Sequence, residues 1–190
     1  YLLKQVELNQ YSVADTIGVQ CPGNFALLAN NTGLASKTEV LWNWMGPPAS
    51  SEAMCPIHLS DTSLQGRKVF VYAGNMGVAQ GMGAFMELAE RLLSRPDIGF
   101  LFVGRGSDAQ LLRETAASRG LDNVAFFDEI DPAEIPALYA QCQVGLVALD
   151  PRHKTHNIPG KFLSYMQCGL PVLASINPGN DLVALILGER

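Results

Sequence analysis

One stretch of the chain decides its fold class: KVFVYAG, residues 68–74. Its run of β-branched and aromatic side chains predicts a strand buried on both faces, which ends at the glycine. The helix predicted next has apolar residues at the spacing i, i+3, i+4, i+7, namely Phe85, Leu88, Ala89 and Leu92. A second apolar run, residues 98–103, ends at Gly104. A buried strand, a helix and another buried strand in this order are typical of a parallel sheet.

The same alternation extends in both directions from this stretch. Further strands are predicted at residues 123–127, 144–149 and 171–174, and further helices at 107–120, 136–141 and 160–167. Ser107 is the predicted N-cap of the first of these helices. Before residue 46 the pattern predicts a helix near the start, a strand at 16–20, a helix from Pro22 and a strand at 39–42. The sequence therefore predicts an α/β fold with a doubly wound, parallel, Rossmann-like sheet.

A break in the pattern divides the chain into predicted domains. Prolines and serines with little periodicity predict a linker at residues 47–66. It separates residues 1–46 from a better-defined domain at 67–190. Because the chain does not begin with Met and ends within a helical pattern, we expect it to be part of a longer protein.

Composition excludes several classes of protein. The 190 residues carry a net charge of -5 without a long basic run, which argues against nucleic acid as a main ligand. No apolar run is long enough to predict a membrane span. The four cysteines lack metal or redox spacing and are predicted to be reduced thiols, so we expect a cytoplasmic protein.

A ligand site is predicted where the parallel strands end, at their carboxyl edge. Gly74 and Gly77 follow the first strand of the domain, and Gly104 follows the second. Glycine lets the backbone approach a phosphate closely. The Gly-x-Gly-x-x-Gly dinucleotide motif and the P-loop motif are both absent from the sequence. A dehydrogenase and a P-loop NTPase are therefore disfavoured.

The helix predicted to begin at Gly160 adds a second anion-binding element. Its first amides have no partners within the helix, and its dipole is positive at this end. Lys161 in the first turn opposes the dipole unless an anion lies between them. His153 and His156 have His-x-x-His spacing, but no third ligand is near them, so no metal site is predicted.

The segment GKFLSYMQCGLPV, residues 160–172, resembles the nucleotide-diphosphate motif of the group 1 retaining glycosyltransferases, family four in carbohydrate-enzyme classification. The resemblance extends from residue 68 to the end of the chain. It implies the GT-B fold, with residues 67–190 as a truncated donor-binding domain and residues 1–46 as a remnant of the acceptor-binding domain. The segments at 157–161 and 177–181 are similar to transferases that add an N-acetylated deoxyhexosamine, such as N-acetylfucosamine, in O-antigen assembly.

The resemblance implies a set of residues around the nucleotide sugar. Gly77 would approach the phosphates, Arg105 would lie beside the nucleotide, and the backbone near Glu129 and Ile130 would contact the base. The amides of Ile158, Gly160 and Lys161 would hold the diphosphate. The full implied donor-binding set is Gly74, Asn75, Gly77, Gly104, Arg105, Glu129, Ile130, His156, Asn157, Ile158, Gly160, Lys161 and Ser164. No cofactor and no metal are implied, and no catalytic residue can be named.

Three positions depart from the family pattern. Gln80 stands where members often have a basic residue, and His156 and Ser164 stand where they have glutamates.

The activity that the resemblance implies is sugar transfer from a nucleoside-diphosphate sugar to a saccharide or polyprenyl-linked acceptor in cell-surface polysaccharide synthesis. It allows peripheral association with the inner face of the membrane. A nucleotide-sugar epimerase of the same architecture and a non-catalytic nucleotide-binding fragment remain alternatives.

Overall fold

The computed structural model describes residues 2–30, 33–46, 53–153 and 157–188. The chain divides into two compact units. The first comprises the described residues of Tyr1–Trp44, Lys154–Ile158 and Pro178–Arg190. The second comprises those of Met45–His153 and Pro159–Asn177.

The first unit begins with two helices and two short strands. They are α1 (Leu2–Val13), β1 (Ile17–Val19), α2 (Pro22–Ala29) and β2 (Thr38–Val40). The two strands pair in parallel. Proline at the first position of α2 fixes a backbone angle that suits a helix start, as the sequence predicted. The second strand begins one residue earlier than predicted and ends at Val40.

Five parallel strands form the sheet of the second unit. They are β3 (Lys68–Ala73), β4 (Ile98–Val103), β5 (Val124–Phe127), β6 (Val144–Ala148) and β7 (Val172–Ser175). Their order is β5-β4-β3-β6-β7. β4 and β5 follow on one side of β3, and β6 and β7 then follow on its other side. The strand order therefore reverses between β3 and β6. This topology confirms the predicted doubly wound parallel sheet.

Four helices accompany this sheet. They are α3 (Gly83–Arg91), α4 (Ala109–Ser118), α5 (Ile135–Tyr139) and α6 (Gly160–Gln167). Apolar faces of α3 and α4 pack on aromatic residues of β3 and β4 in one core that includes Phe85, Ala89, Tyr72, Phe100 and Phe102. Because β4 is covered on both faces, all but its first residue are buried.

Two local predictions are corrected by the structure. Ser107 is not the N-cap of α4: Asp108 occupies that position, and the Ser107 hydroxyl donates to the Asp108 carboxylate at 2.8 Å. Residues 53–66 do not form a free linker, because Ile57 and Leu64 are buried within the second unit. These buried apolar residues stand singly in the sequence, so no helical or strand period marks them.

The end of the chain packs with the first unit and not with the domain predicted at 67–190. The Asp181 carboxylate, just before α7 (Leu182–Gly188), accepts a hydrogen bond from Gly23 N–H at 2.7 Å. Negative charge at the start of α2 stabilises that helix. The Asn180 side chain donates to Asn157 O at 3.2 Å. Long-range polar contacts of this kind leave no periodic pattern in the sequence.

No helix in the described part of the chain is long and apolar enough to cross a membrane.

Candidate functional site

A cavity of about 510 Å³ opens at the carboxyl edge of the sheet in the second unit. Its floor consists of the residues that end β3 and β4, and its walls come from the segment after β5 and from α5 and α6. It is lined by Ala73, Gly74, Asn75, Val103, Gly104, Arg105, Glu129, Ile130, Pro132, Ile135, Tyr139, Lys161 and Ser164. This is the edge at which open parallel sheets bind ligands.

Two glycines bring the ends of β3 and β4 into direct backbone contact. Gly74 and Gly104 both have φ near +137°, a conformation that side chains rarely adopt. A Cβ atom on Gly104 would lie only 2.2 Å from the Gly74 carbonyl oxygen. The Gly74 N–H also donates a hydrogen bond to Val103 O, at 2.8 Å. Glycine at both positions therefore creates the flat, side-chain-free floor of the cavity.

The Lys161 ammonium lies over this floor. Its Nζ is 4.6 Å from the centroid of the Tyr72 ring, a cation–π contact. A Cβ atom on Gly74 would lie 2.6 Å from the same Nζ, so a side chain there would displace the ammonium from this position. Burial lowers the pKa of Lys161 below its usual value. Among the described residues no carboxylate and no other hydrogen-bond acceptor contacts this ammonium.

Helix α6 is fixed to the sheet by Tyr165, one turn after Lys161. The Tyr165 hydroxyl lies 3.1 Å from Val71 O and 3.1 Å from Leu146 O, on the two strands where the sheet order reverses. Gly145 makes room for the ring, because a Cβ there would lie 2.4 Å from a ring carbon. Tyr165 is fully buried, and burial raises its pKa. This contact sets the position of the first turn of α6.

An exposed ion pair spans part of the cavity rim. Arg105 Nε lies 2.8 Å from Glu129 Oε2, and both side chains are more than half exposed. Exposed pairs of this kind contribute little to stability because water screens them. Both groups can therefore exchange this contact for a ligand at small energetic cost.

The structure brings together eight of the residues that the sequence analysis singled out. They are Gly74, Asn75, Gly104, Arg105, Glu129, Ile130, Lys161 and Ser164, all of which line the cavity. Ser164 Oγ donates weakly to the Met45 sulfur at 3.7 Å.

The other singled-out residues lie elsewhere. Gly77 and Gly160 do not line the cavity, and Gly77 N–H already donates to the Gln80 side chain at 3.0 Å. Asn157 and Ile158 belong to the first unit, and His156 lies outside the described residues.

Sequence reasoning did not select Tyr72, Ile135 or Tyr139. Tyr72 belongs to the continuous apolar run of β3, a pattern that predicts a core residue. Tyr139 is buried at the end of α5, which is only five residues long. No sequence pattern indicates that the Tyr72 ring faces Lys161 or that Tyr139 lines the cavity. The Tyr139 ring centroid lies 4.9 Å from that of Tyr165 on α6, a long-range contact that no local pattern indicates.

Two further observations concern the chemistry of the described residues. Within the part of the chain that the structure describes, no group of three or more His, Cys, Asp or Glu side chains is arranged to hold a metal ion. None of the four cysteines, all of which lie among the described residues, forms a disulfide, and Cys168 is the exposed one.

The doubly wound parallel sheet makes the second unit a Rossmann-like α/β domain. The chain belongs to the family of glycosyl transferases group 1, whose sequence profile matches residues 67–186. It is 32% identical over 103 residues to WcaI of Escherichia coli (strain K12), a protein assigned to colanic acid biosynthesis as a glycosyl transferase. That match covers 54% of this chain and 25% of WcaI.

Solved structures of glycosyltransferases show the same fold at low sequence identity. Anabaena HepE, solved in complex with UDP and glucose, superposes with a TM-score of 0.72 at 18% identity, over 95% of this chain and 49% of HepE. A mutant of S. aureus TarM, solved in complex with Fondaparinux, alpha-GlcNAc-glycerol and UDP, superposes with a TM-score of 0.68 at 10% identity, over 96% of this chain and 34% of TarM. The chain thus spans half or less of the length of each of these proteins.

Proposed function

We propose that this chain is the nucleotide-sugar-binding part of a retaining glycosyltransferase that acts in cell-surface polysaccharide synthesis. The observation that carries the proposal is the Lys161 ammonium, partly buried over the Gly74 floor without an acidic partner among the described residues. A desolvated cation without a counter-charge is costly. A diphosphate in the cavity would supply the missing charge.

The lining of the cavity supports an orientation for the nucleotide. The diphosphate would lie on Gly74 and Gly104, where backbone approaches closely, and next to Lys161. The base would lie toward Glu129 and Ile130 at the end of β5, and Arg105 would lie beside the nucleotide. A volume of about 510 Å³ is in the range of small-molecule sites.

Lys161 would also contribute to the chemistry. When the glycosidic bond to the donor breaks, negative charge develops on the leaving diphosphate. A positioned ammonium in a partly desolvated site stabilises that charge more in the transition state than in the ground state. Sugar transfer therefore needs no metal at this position.

The similar proteins support the substrate class. HepE and TarM were both solved with UDP, and WcaI is assigned to colanic acid biosynthesis. We therefore propose UDP as the nucleotide and a saccharide or polyprenyl-linked acceptor on the cytoplasmic side of the membrane. N-acetylfucosamine as the transferred sugar stays a prediction. The family match favours transfer over epimerisation.

The expected behaviour of the purified 190-residue chain is binding without turnover. UDP should bind at least tenfold more tightly than uridine, because a charge-assisted hydrogen bond to phosphate contributes about 1.5–3 kcal/mol. Calorimetric titration of both ligands measures the difference. No sugar transfer is expected from the chain alone, since it spans half or less of its relatives. Equal affinities for UDP and uridine would overturn the proposed site. Turnover by the chain alone would overturn the proposal that it binds the donor without transferring the sugar.

A further inference from the structure

One side chain of the loop after β3, residues 74–81, forms hydrogen bonds to other residues of the same loop. Gln80 Oε1 accepts a hydrogen bond from Gly77 N–H at 3.0 Å and another from the Asn75 side chain at 3.0 Å. Gln80 thus connects the middle of the loop to Asn75, which lines the cavity.

The two ends of this loop are held differently, by backbone. Met76 N–H donates to Arg105 O at 2.7 Å, which joins the loop to the segment after β4. Ala79 O accepts from Asp150 N–H at 3.0 Å, which joins it to the segment after β6. Gly77 is buried between these two attachments, and within the described structure its N–H has a side chain as its only acceptor.

We propose that Gln80 is a positioning residue that holds the loop after β3 in the shape that binds the diphosphate. This proposal rests on the proposed function of the cavity. A buried N–H that loses its acceptor carries a full desolvation cost, so without Gln80 the loop would open until Gly77 N–H reached water. Asn75 would lose its fixed position at the same time. Binding of a diphosphate would then require the loop to be ordered again, which weakens affinity.

The first arm of the test measures loop order without any ligand. Amide hydrogen exchange is followed at Gly77 and, as an internal reference, at Met76, whose acceptor is a backbone carbonyl. Gln80→Ala should accelerate exchange at Gly77 at least tenfold and leave Met76 unchanged. Gln80→Glu keeps an acceptor oxygen and should retain protection at Gly77. Gln110→Ala is the matched control, since Gln110 lies on the exposed face of α4 and bonds only to Glu114 there. It should change neither amide.

The second arm measures binding. Gln80→Ala should weaken UDP binding about tenfold, with uridine affinity unchanged because the base contacts lie at the end of β5. Unchanged Gly77 exchange in Gln80→Ala would overturn the proposal, and so would unchanged UDP affinity despite faster exchange. Equal weakening of UDP and uridine would also overturn it, by indicating general unfolding. If the unmodified chain fails to bind UDP, the proposed function itself fails, which is distinguishable from a failure confined to Gln80.

Discussion

Lys161→Met is expected to weaken UDP binding about ten- to a hundredfold and to leave uridine binding nearly unchanged. Removal of a charge-assisted contact to phosphate costs about 1.5–3 kcal/mol, which corresponds to this range. Methionine keeps an apolar chain against the Tyr72 ring, so packing is largely preserved. Calorimetric titration with UDP and uridine measures the effect.

Two controls isolate the role of this ammonium. Lys68→Met removes the same charge from an exposed position at the other end of β3 and should leave UDP affinity unchanged.

The second control is the pH dependence of UDP binding. Because burial lowers the pKa of Lys161 below its usual value, the ammonium loses its proton at a lower pH than an exposed lysine. UDP affinity should therefore fall as pH rises toward that pKa in the unmodified chain, and Lys161→Met should lack this fall. Parallel titration with uridine corrects for ionisation of the base. A UDP affinity that is the same in Lys161→Met and in the unmodified chain would reduce Lys161 to a structural residue.

Gly104→Ala is expected to destabilise the second unit by about 2–5 kcal/mol. The new methyl would approach the Gly74 carbonyl oxygen to 2.2 Å, and a side chain at φ +137° is strained by itself. Neither atom can move without separating β3 from β4 at their ends, where Gly74 N–H bonds to Val103 O. Urea denaturation followed by circular dichroism measures the loss.

Gly120→Ala provides the matched comparison for that substitution. Gly120 also has a positive φ, +63°, but no atom would lie within 4 Å of a Cβ there. Its substitution should therefore cost only the backbone strain, about 1–2 kcal/mol. If Gly104→Ala were no more destabilising than Gly120→Ala, the close approach of the two strand ends would not be a determinant of the fold.

The fold could be predicted from the sequence because its strands are buried on both faces. β3 and β4 have the predicted bounds, since each is a continuous apolar run that ends at a glycine. α6 also has its predicted bounds, between Pro159 and the turn at Gly169. Residues 53–66 were mistaken for a linker because their buried side chains follow no helical or strand period.

The candidate site could be predicted only in part. Gly74 is predicted because glycine lets the backbone approach a phosphate closely, and Lys161 because a cation in the first turn of a helix opposes the dipole unless an anion lies between them. The close approach of Lys161 to Gly74 could not be predicted, since it depends on how the start of α6 packs against the end of β3. Tyr72 was missed for the same reason. A residue whose pattern indicates core can still have one ring face against a charged group, as Tyr72 has against the Lys161 ammonium.

An NMR titration of the ¹⁵N-labelled chain with UDP tests whether a diphosphate lies between the end of β3 and the start of α6. We expect the largest amide shift changes at Gly74, Gly104 and Lys161, with little change at Gly120 and Gly169, which do not line the cavity. Uridine should shift the amides of Glu129 and Ile130 but not that of Lys161. Shift changes centred away from the cavity, or equal changes at Lys161 with UDP and uridine, would contradict this placement of the diphosphate.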